Sequence, residues 1–166
     1  MFIAHAPAGY LSARLLLAPL QVPDCCRRGF LWSGVSGAVA PDFDLFYFHL
    51  VDHRAHTHHT YVTHYPALWL TLLAAALLWR RSAPSPGAAM AVVFSLNGLL
   101  HMVLDSVVGG IRWLAPVSDH FFAVARVPAR FHPWWLNFVL HWSFVLEVAI
   151  LGWALHLAAK SWRPKC

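Results

Sequence analysis

His101 and Asp105 stand four residues apart inside an apolar stretch of this 166-residue chain. On a helix that spacing puts both on one face, and Asn97, four residues earlier, extends the same stripe. A carboxylate in an apolar helix is costly unless it is paired or coordinated. A divalent cation relieves that cost by keeping the carboxylate ionised and the imidazole neutral. The structural alternative is a His–Asp hydrogen bond that only pins helix packing.

The other chemistry-bearing residues fall in short groups. Pro41-Asp42-Phe43-Asp44 is an Asp-x-Asp at a helix exit, and two carboxylates so spaced can reach one ion or two neighbouring ions. His53-Arg54-Ala55-His56-Thr57-His58-His59, with His64 beyond it, is a dense tract whose position nine residues after the Asp-x-Asp favours ligation, with non-specific metal binding or a wet loop as its alternatives. Not all five of these histidines can ligate. His58 is taken as a ligand and His53 as a ligand or acid–base group. His56 and His59 are taken as bystanders, and His64 is left out of the ligand set. Arg54 is suited to neutralising an anionic substrate, with a surface ion pair as its alternative. His5 opens the first helical segment. His141 and Glu147 are possible additional ligands. Six helical steps leave those two about 120° apart, so they do not share a face. Glu147 is the only Glu and lies within an apolar segment, with a salt bridge to Arg14 as its bland alternative. His49, His120, His132 and His156 read as peripheral.

Composition says what must position these groups. The chain is 59% hydrophobic and 11% charged, whereas soluble domains carry roughly 25% charged residues. That excludes an ordinary soluble enzyme, a disordered chain and a nucleic-acid module. Nine Trp and eleven Phe suit lipid-facing and interfacial surfaces. Ser82–Leu104 holds no charge over 23 positions, and Phe131–Ala159 holds only Glu147 over 29. Either can cross a hydrocarbon core that needs about 20 helical residues. Tyr65–Trp79 reaches that length only with residues from about Tyr61. Ile3–Leu20 and Gly29–Phe48 are weaker segments. Pro84-Ser85-Pro86-Gly87 is a turn, and Gly109-Gly110 is expected to end the fourth helix. The fold class expected is all-α: a single domain over residues 1–166, a multi-pass transmembrane bundle of about five helical segments.

With strict alternation, His5, Asp42, Asp44, the 53–64 histidines, His101, Asp105 and His141 all map to one membrane side. The opposite side carries Arg27, Arg28, Arg80, Arg81, Lys160, Arg163 and Lys165, against Arg54, Arg112, Arg126 and Arg130 on the first. The positive-inside rule then places the His/Asp side away from the cytoplasm. Cys25, Cys26 and Cys166 give neither a disulfide framework nor zinc spacing and read as incidental thiols. No signal peptide is expected, because a basic n-region is missing.

The ordered set resembles the bacterial inner-membrane, metal-dependent hydrolases of the YdjM type. The matching elements are His5, Pro41-Asp42-Phe43-Asp44, His53-Arg54-Ala55-His56-Thr57-His58, His101 with Asp105, Gly109-Gly110 and Leu114-Ala115-Pro116. His59 departs, since that family commonly has Ser there. A more distant resemblance is to the zinc-dependent phospholipase C class. The order His5, an Asp of the 42/44 pair, His58, His101, Asp105 is similar to its ligand order, while His141 and Glu147 are six apart rather than four. That resemblance implies a phosphoester substrate, with a lipid among the candidates.

The function expected is a membrane-bound hydrolase using a metal-activated water. Its metal ligands are His5, Asp42, Asp44, His58, His101 and Asp105, holding one to three divalent ions. His and Asp donors favour zinc, with manganese and iron open. Asp42, His53 and Arg54 are the expected catalytic groups. The expected partners are membrane lipids and a small-molecule or lipid substrate, not nucleic acid. Two alternatives stand beside this. One is a metal-binding or transport protein without turnover. The other is a b-type haem protein with His101 and His141 as axial ligands.

Overall fold

Prolines and serines punctuate the chain where the helices begin and turn. The computed structural model describes residue 1 and residues 3–161; Arg163, Lys165 and Cys166 lie outside the described residues. The α-helices are α1 (His5–Leu16), α2 (Arg27–Val39), α3 (Asp44–Leu50), α4 (Pro66–Ser82), α5 (Pro86–Asp105), α6 (Trp135–Val139) and α7 (Ser143–Ser161). Among the described residues there is no strand, only an isolated bridge between Ile111 and Phe122. At the start of α5 Ser85 is the N-cap, its Oγ accepting from the Ala88 N–H, and Pro86 fills the first turn, where a missing N–H does no harm.

Three expected segments end or break earlier than their hydropathy suggests. The 29–48 segment stops at Val39, because buried Pro41 cannot continue the hydrogen-bond ladder. A 3₁₀ turn over Ala40–Phe43 then leads into α3. The fourth helix ends at Asp105, four residues before Gly109-Gly110, and the Gly109 N–H closes back on the Asp105 carbonyl. The 131–159 segment splits into α6 and α7. Two helices, α5 and α7, are long and apolar enough to cross a membrane. Helices α1 and α2, at 12 and 13 residues, reach only about 18–20 Å, short of a core of about 30 Å.

Helix α5 is the centre, packed on both α2 and α4, with α1 across α2 and α7 against α1. Ala13, Phe30, Ala89 and Val93 form an apolar core toward the starts of α2 and α5. Asn97, fully buried, ties three helices by donating to the carbonyls of Gly9 in α1 (3.2 Å) and Gly34 in α2 (3.0 Å). The α2–α5 crossing is close because Gly37 has no side chain: a Cβ there would stand 2.2 Å from the Phe94 carbonyl oxygen. Small residues at such crossings are how helices pack when lipid removes the hydrophobic drive between them.

The helix directions alternate. Helices α1 and α4 begin, and α2 and α5 end, at the end of the bundle that holds the His and Asp residues. Arg27 and Arg28 open α2, and Arg80 and Arg81 close α4, so these basic residues lie at the other end. There Arg80 donates to the Leu20 carbonyl (2.9 Å). Cys25 and Cys26 are free thiols with sulfur atoms 3.6 Å apart.

Gly37→Ala is expected to destabilise the detergent-purified protein by about 1–3 kcal/mol, as overpacking does. Gly152→Ala, whose added Cβ meets nothing within 4 Å, is expected to be neutral or slightly stabilising. Unfolding midpoints of both variants check this.

Candidate metal centre

The site is built where four backbone segments meet. The last turn of α5 carries His101 and Asp105 on the face that also bears Asn97, all three buried. The first residue of α1 is His5, whose ring stacks on His101 with centroids 3.8 Å apart and planes 15° apart. The turn after α2 supplies Asp42, and the start of α3 supplies Asp44. The fourth segment returns from a sharp reversal. His53 and Arg54 adopt φ of 48° and 65°, a left-handed conformation uncommon for side-chain-bearing residues. Two 3₁₀ turns, His58–Thr60 and Val62–His64, then lay His58, His59 and His64 over the end of α5.

Asp105 is the hub. Its Oδ1 lies 3.0 Å from His5 Nε2 and accepts from the Met1 ammonium. Its Oδ2 lies 3.1 Å from His101 Nε2, 3.4 Å from His59 Nε2 and 3.9 Å from His64 Nε2. Asp42 Oδ1 stands 3.6 Å from His101 Nε2 and 3.8 Å from His64 Nε2. Three sets of donor atoms, from His58, His59 and His64, from His5, His101 and Asp105, and from Asp42, His64 and His101, each lie within 4.8 Å of one another.

Orientation of the rings decides what this can do. His101 Nδ1 is 2.7 Å from the Ala38 carbonyl and His59 Nδ1 is 2.9 Å from the Gly110 carbonyl. A carbonyl only accepts, so each Nδ1 carries the proton and donates, leaving Nε2 with its lone pair. His64 Nδ1 donates to Asp44 Oδ2 at 2.6 Å. These are the outer contacts that fix the tautomer of metal-ligating imidazoles. The Nε2 atoms of His5, His64 and His101 are buried, and despite close carboxylate oxygens none has a hydrogen bond of acceptable geometry. Buried polar atoms left so are rare and call for an explanation. Convergent imidazole lone pairs beside two carboxylates fit a divalent cation, the donor set being that of transition-metal sites.

Burial lowers the His59 imidazole to about 4, keeping it neutral. Burial pushes Asp44 upward, but His58, His64 and Thr63 around its carboxylate outweigh that and hold it below the usual carboxylate range. Asp42 and His58, with side chains 28% and 27% exposed, are the members that reach the surface and mark the mouth.

Of the residues expected from sequence, His5, Asp42, Asp44, His58, His101 and Asp105 come together. His53 and Arg54 do not join them. Both are exposed on the reversal, and Arg54 Nε donates to His49 Nδ1 (3.2 Å). His56, expected as a bystander, is exposed and bonded to Asp52 (2.9 Å). His59 and His64, left aside in the sequence reading, belong to the cluster. His141 Nδ1 lies 2.9 Å from Ser143 Oγ at the start of α7, and His141 joins none of the three sets of donors. Glu147 is buried, but it holds backbone N–H groups of Ile3 and Ala4 rather than Arg14, which donates to Tyr10. His49, His120, His132 and His156 are exposed.

His64→Ala is expected to abolish tight zinc uptake. Asp44→Asn is expected to weaken it by roughly 10–100-fold, the range for losing an outer carboxylate partner. His53→Ala and His56→Ala are expected to bind as the parent does. Competition with a chromophoric chelator measures all four.

The family model described as YdjM inner membrane protein matches residues 1–162. Comparison with curated proteins and with solved structures gave no match.

Proposed function

From the premise that this chain belongs to the YdjM inner membrane protein family, we propose that it is a multi-pass membrane enzyme, a metal-dependent hydrolase. The observation that carries this reading is the convergence of three buried Nε2 atoms, none in a well-formed hydrogen bond, on the carboxylates of Asp42 and Asp105. A packing role alone needs one His–Asp pair, whereas here three imidazoles and two carboxylates from separate segments come within reach of one another.

His5, Asp42, His64, His101 and Asp105 would hold the ion, with His58 and His59 beside them, and zinc suits these donors best. Such an ion supplies Lewis-acid polarisation and lowers the pKa of a water toward about 7. The chain's own residues do the rest. Asp44 keeps His64 turned inward through its Nδ1 proton, and Ala38 and Gly110 do the same for His101 and His59. Asp42, at the mouth, would hold the ion through Oδ1, with Oδ2 the candidate acceptor for a proton from a water. The apolar side chains around the mouth, Phe43, Phe46, Tyr47 and Leu50, are exposed, which suits a substrate that arrives from the lipid phase. Placement of Arg27, Arg28, Arg80 and Arg81 at the opposite end supports a site facing away from the cytoplasm. A phosphoester is the substrate class of choice, by likeness to the phospholipase C ligand order.

The protein purified in detergent is expected to hold at least one transition metal per chain and to cleave an activated phosphodiester probe. His101→Ala and Asp105→Asn are expected to lose turnover by on the order of 100-fold or more while still inserting and folding. Metal uptake without any turnover across ester probes would favour a binding or transport role. A metal-free protein that also refuses added zinc would end the reading.

A further inference from the structure

Glu147 is 1% exposed, yet it joins none of the three sets of converging donors. A buried carboxylate on an apolar helix needs a compensating interaction. Glu147 finds it in the backbone: Oε2 accepts from the Ile3 N–H and from the Ala4 N–H, the latter at 3.2 Å. These two residues lead directly into α1. The N-cap of α1 is Ala4, which has no side chain able to cap it. Helix N-termini present unsatisfied N–H groups and the positive end of the helix dipole. A carboxylate reaching over from α7 supplies the negative charge that the local sequence does not.

The consequence falls on the next residue. Ala4 is wholly buried, its carbonyl accepts the Ala8 N–H as α1 begins, and His5 follows it. His5 has one ring orientation to keep: stacked on His101, with Nε2 3.0 Å from Asp105 Oδ1. No hydrogen bond from its other nitrogen is available to hold that orientation as Ala38, Gly110 and Asp44 hold His101, His59 and His64; Nδ1 lies 4.0 Å from Asp42. The constraint on His5 therefore comes through its backbone.

We propose that Glu147 is the positioning residue of the metal centre: from α7 it grips the backbone of Ile3 and Ala4 and so fixes His5 among the ligands. This rests on the metal reading above. It also gives α7, otherwise largely exposed, a defined part in the site without any α7 side chain touching the ion.

The test is a double-mutant cycle on the full-length protein in detergent, read as zinc affinity by chelator competition. Glu147→Ala is expected to weaken zinc by roughly 10–100-fold, about as much as His5→Ala. The double variant His5→Ala/Glu147→Ala is expected to be no weaker than His5→Ala, because the carboxylate acts only through that ligand. Glu147→Gln, which keeps a carbonyl acceptor, is expected to recover most of the affinity. If Glu147→Ala does not fold, Ile3→Pro replaces it: it deletes one donated N–H, and it too is expected to weaken zinc without adding to His5→Ala. The proposal is overturned if Glu147→Ala, or Ile3→Pro in its stead, binds as the parent does. Full additivity with His5→Ala overturns it as well, since Glu147 would then act as an independent ligand or through general stability. A parent protein that takes up no zinc overturns the metal reading itself and this proposal with it. A parent that binds, with His101→Ala impaired and Glu147→Ala intact, overturns this proposal alone.

Discussion

A carboxylate at the end of an apolar helix is the constraint the rest of the molecule answers. Asp105 is 3% exposed at the end of a mostly apolar helix. Isolated, an ionised group there would be severely disfavoured, and a neutral one would leave its oxygens wanting donors. The fold surrounds it with His5 from α1 and His59 and His64 from the segment after the reversal, beside His101 of its own helix. Its Oδ1 accepts from the Met1 ammonium, and the Nε2 atoms of His5 and His101 stand 3.0 and 3.1 Å from its oxygens without well-formed hydrogen-bond geometry. Such a set of buried imidazoles and carboxylates could hold a metal ion.

Holding such a set in place requires rigidity behind it. Carbonyls at Ala38 and Gly110 and the carboxylate of Asp44 fix three rings. Asn97 locks α1, α2 and α5 together one turn below the site. The close α2–α5 approach at Gly37 keeps Ala38 within reach of His101. Beneath this the core is wholly apolar, centred on Phe30 and Val93. The buried imidazoles and carboxylates lie at one end of the bundle, where Trp69, Met102 and Ile111 form a second apolar cluster beside them. The exposed aliphatic and aromatic residues of α4 and α7, such as Leu78, Trp153 and Leu155, are anomalous against water and natural against lipid.

Much of the site was legible because it lay on regular backbone or beside it. The four-residue spacing of His101 and Asp105 needs only helical geometry to put both on one face. Asp42 and Asp44 were legible from the proline that had to break the helix before them. The histidine run was harder to read. Which of His53, His56, His58, His59 and His64 turns inward depends on two left-handed residues and two 3₁₀ turns. No periodicity describes such backbone, so His59 and His64 could not be separated from their exposed neighbours. For His59, the Gly110 carbonyl that orients it lies 51 positions away.

What the amino-acid sequence determined by itself was the character of the chain: helical, strongly apolar, with imidazoles and carboxylates gathered toward one end by alternation of helix direction. Hydropathy and 3.6-residue periodicity are local properties, and local properties suffice for that. Only the tertiary structure decided which nitrogen of each ring faces inward, that Asp44 stands behind His64, and that Glu147 accepts from the Ile3 and Ala4 N–H groups that lead into α1. Each of those depends on where a distant carbonyl or N–H ends up, and a hydrogen bond is selective over tenths of an ångström in a way that residue spacing along a chain cannot encode.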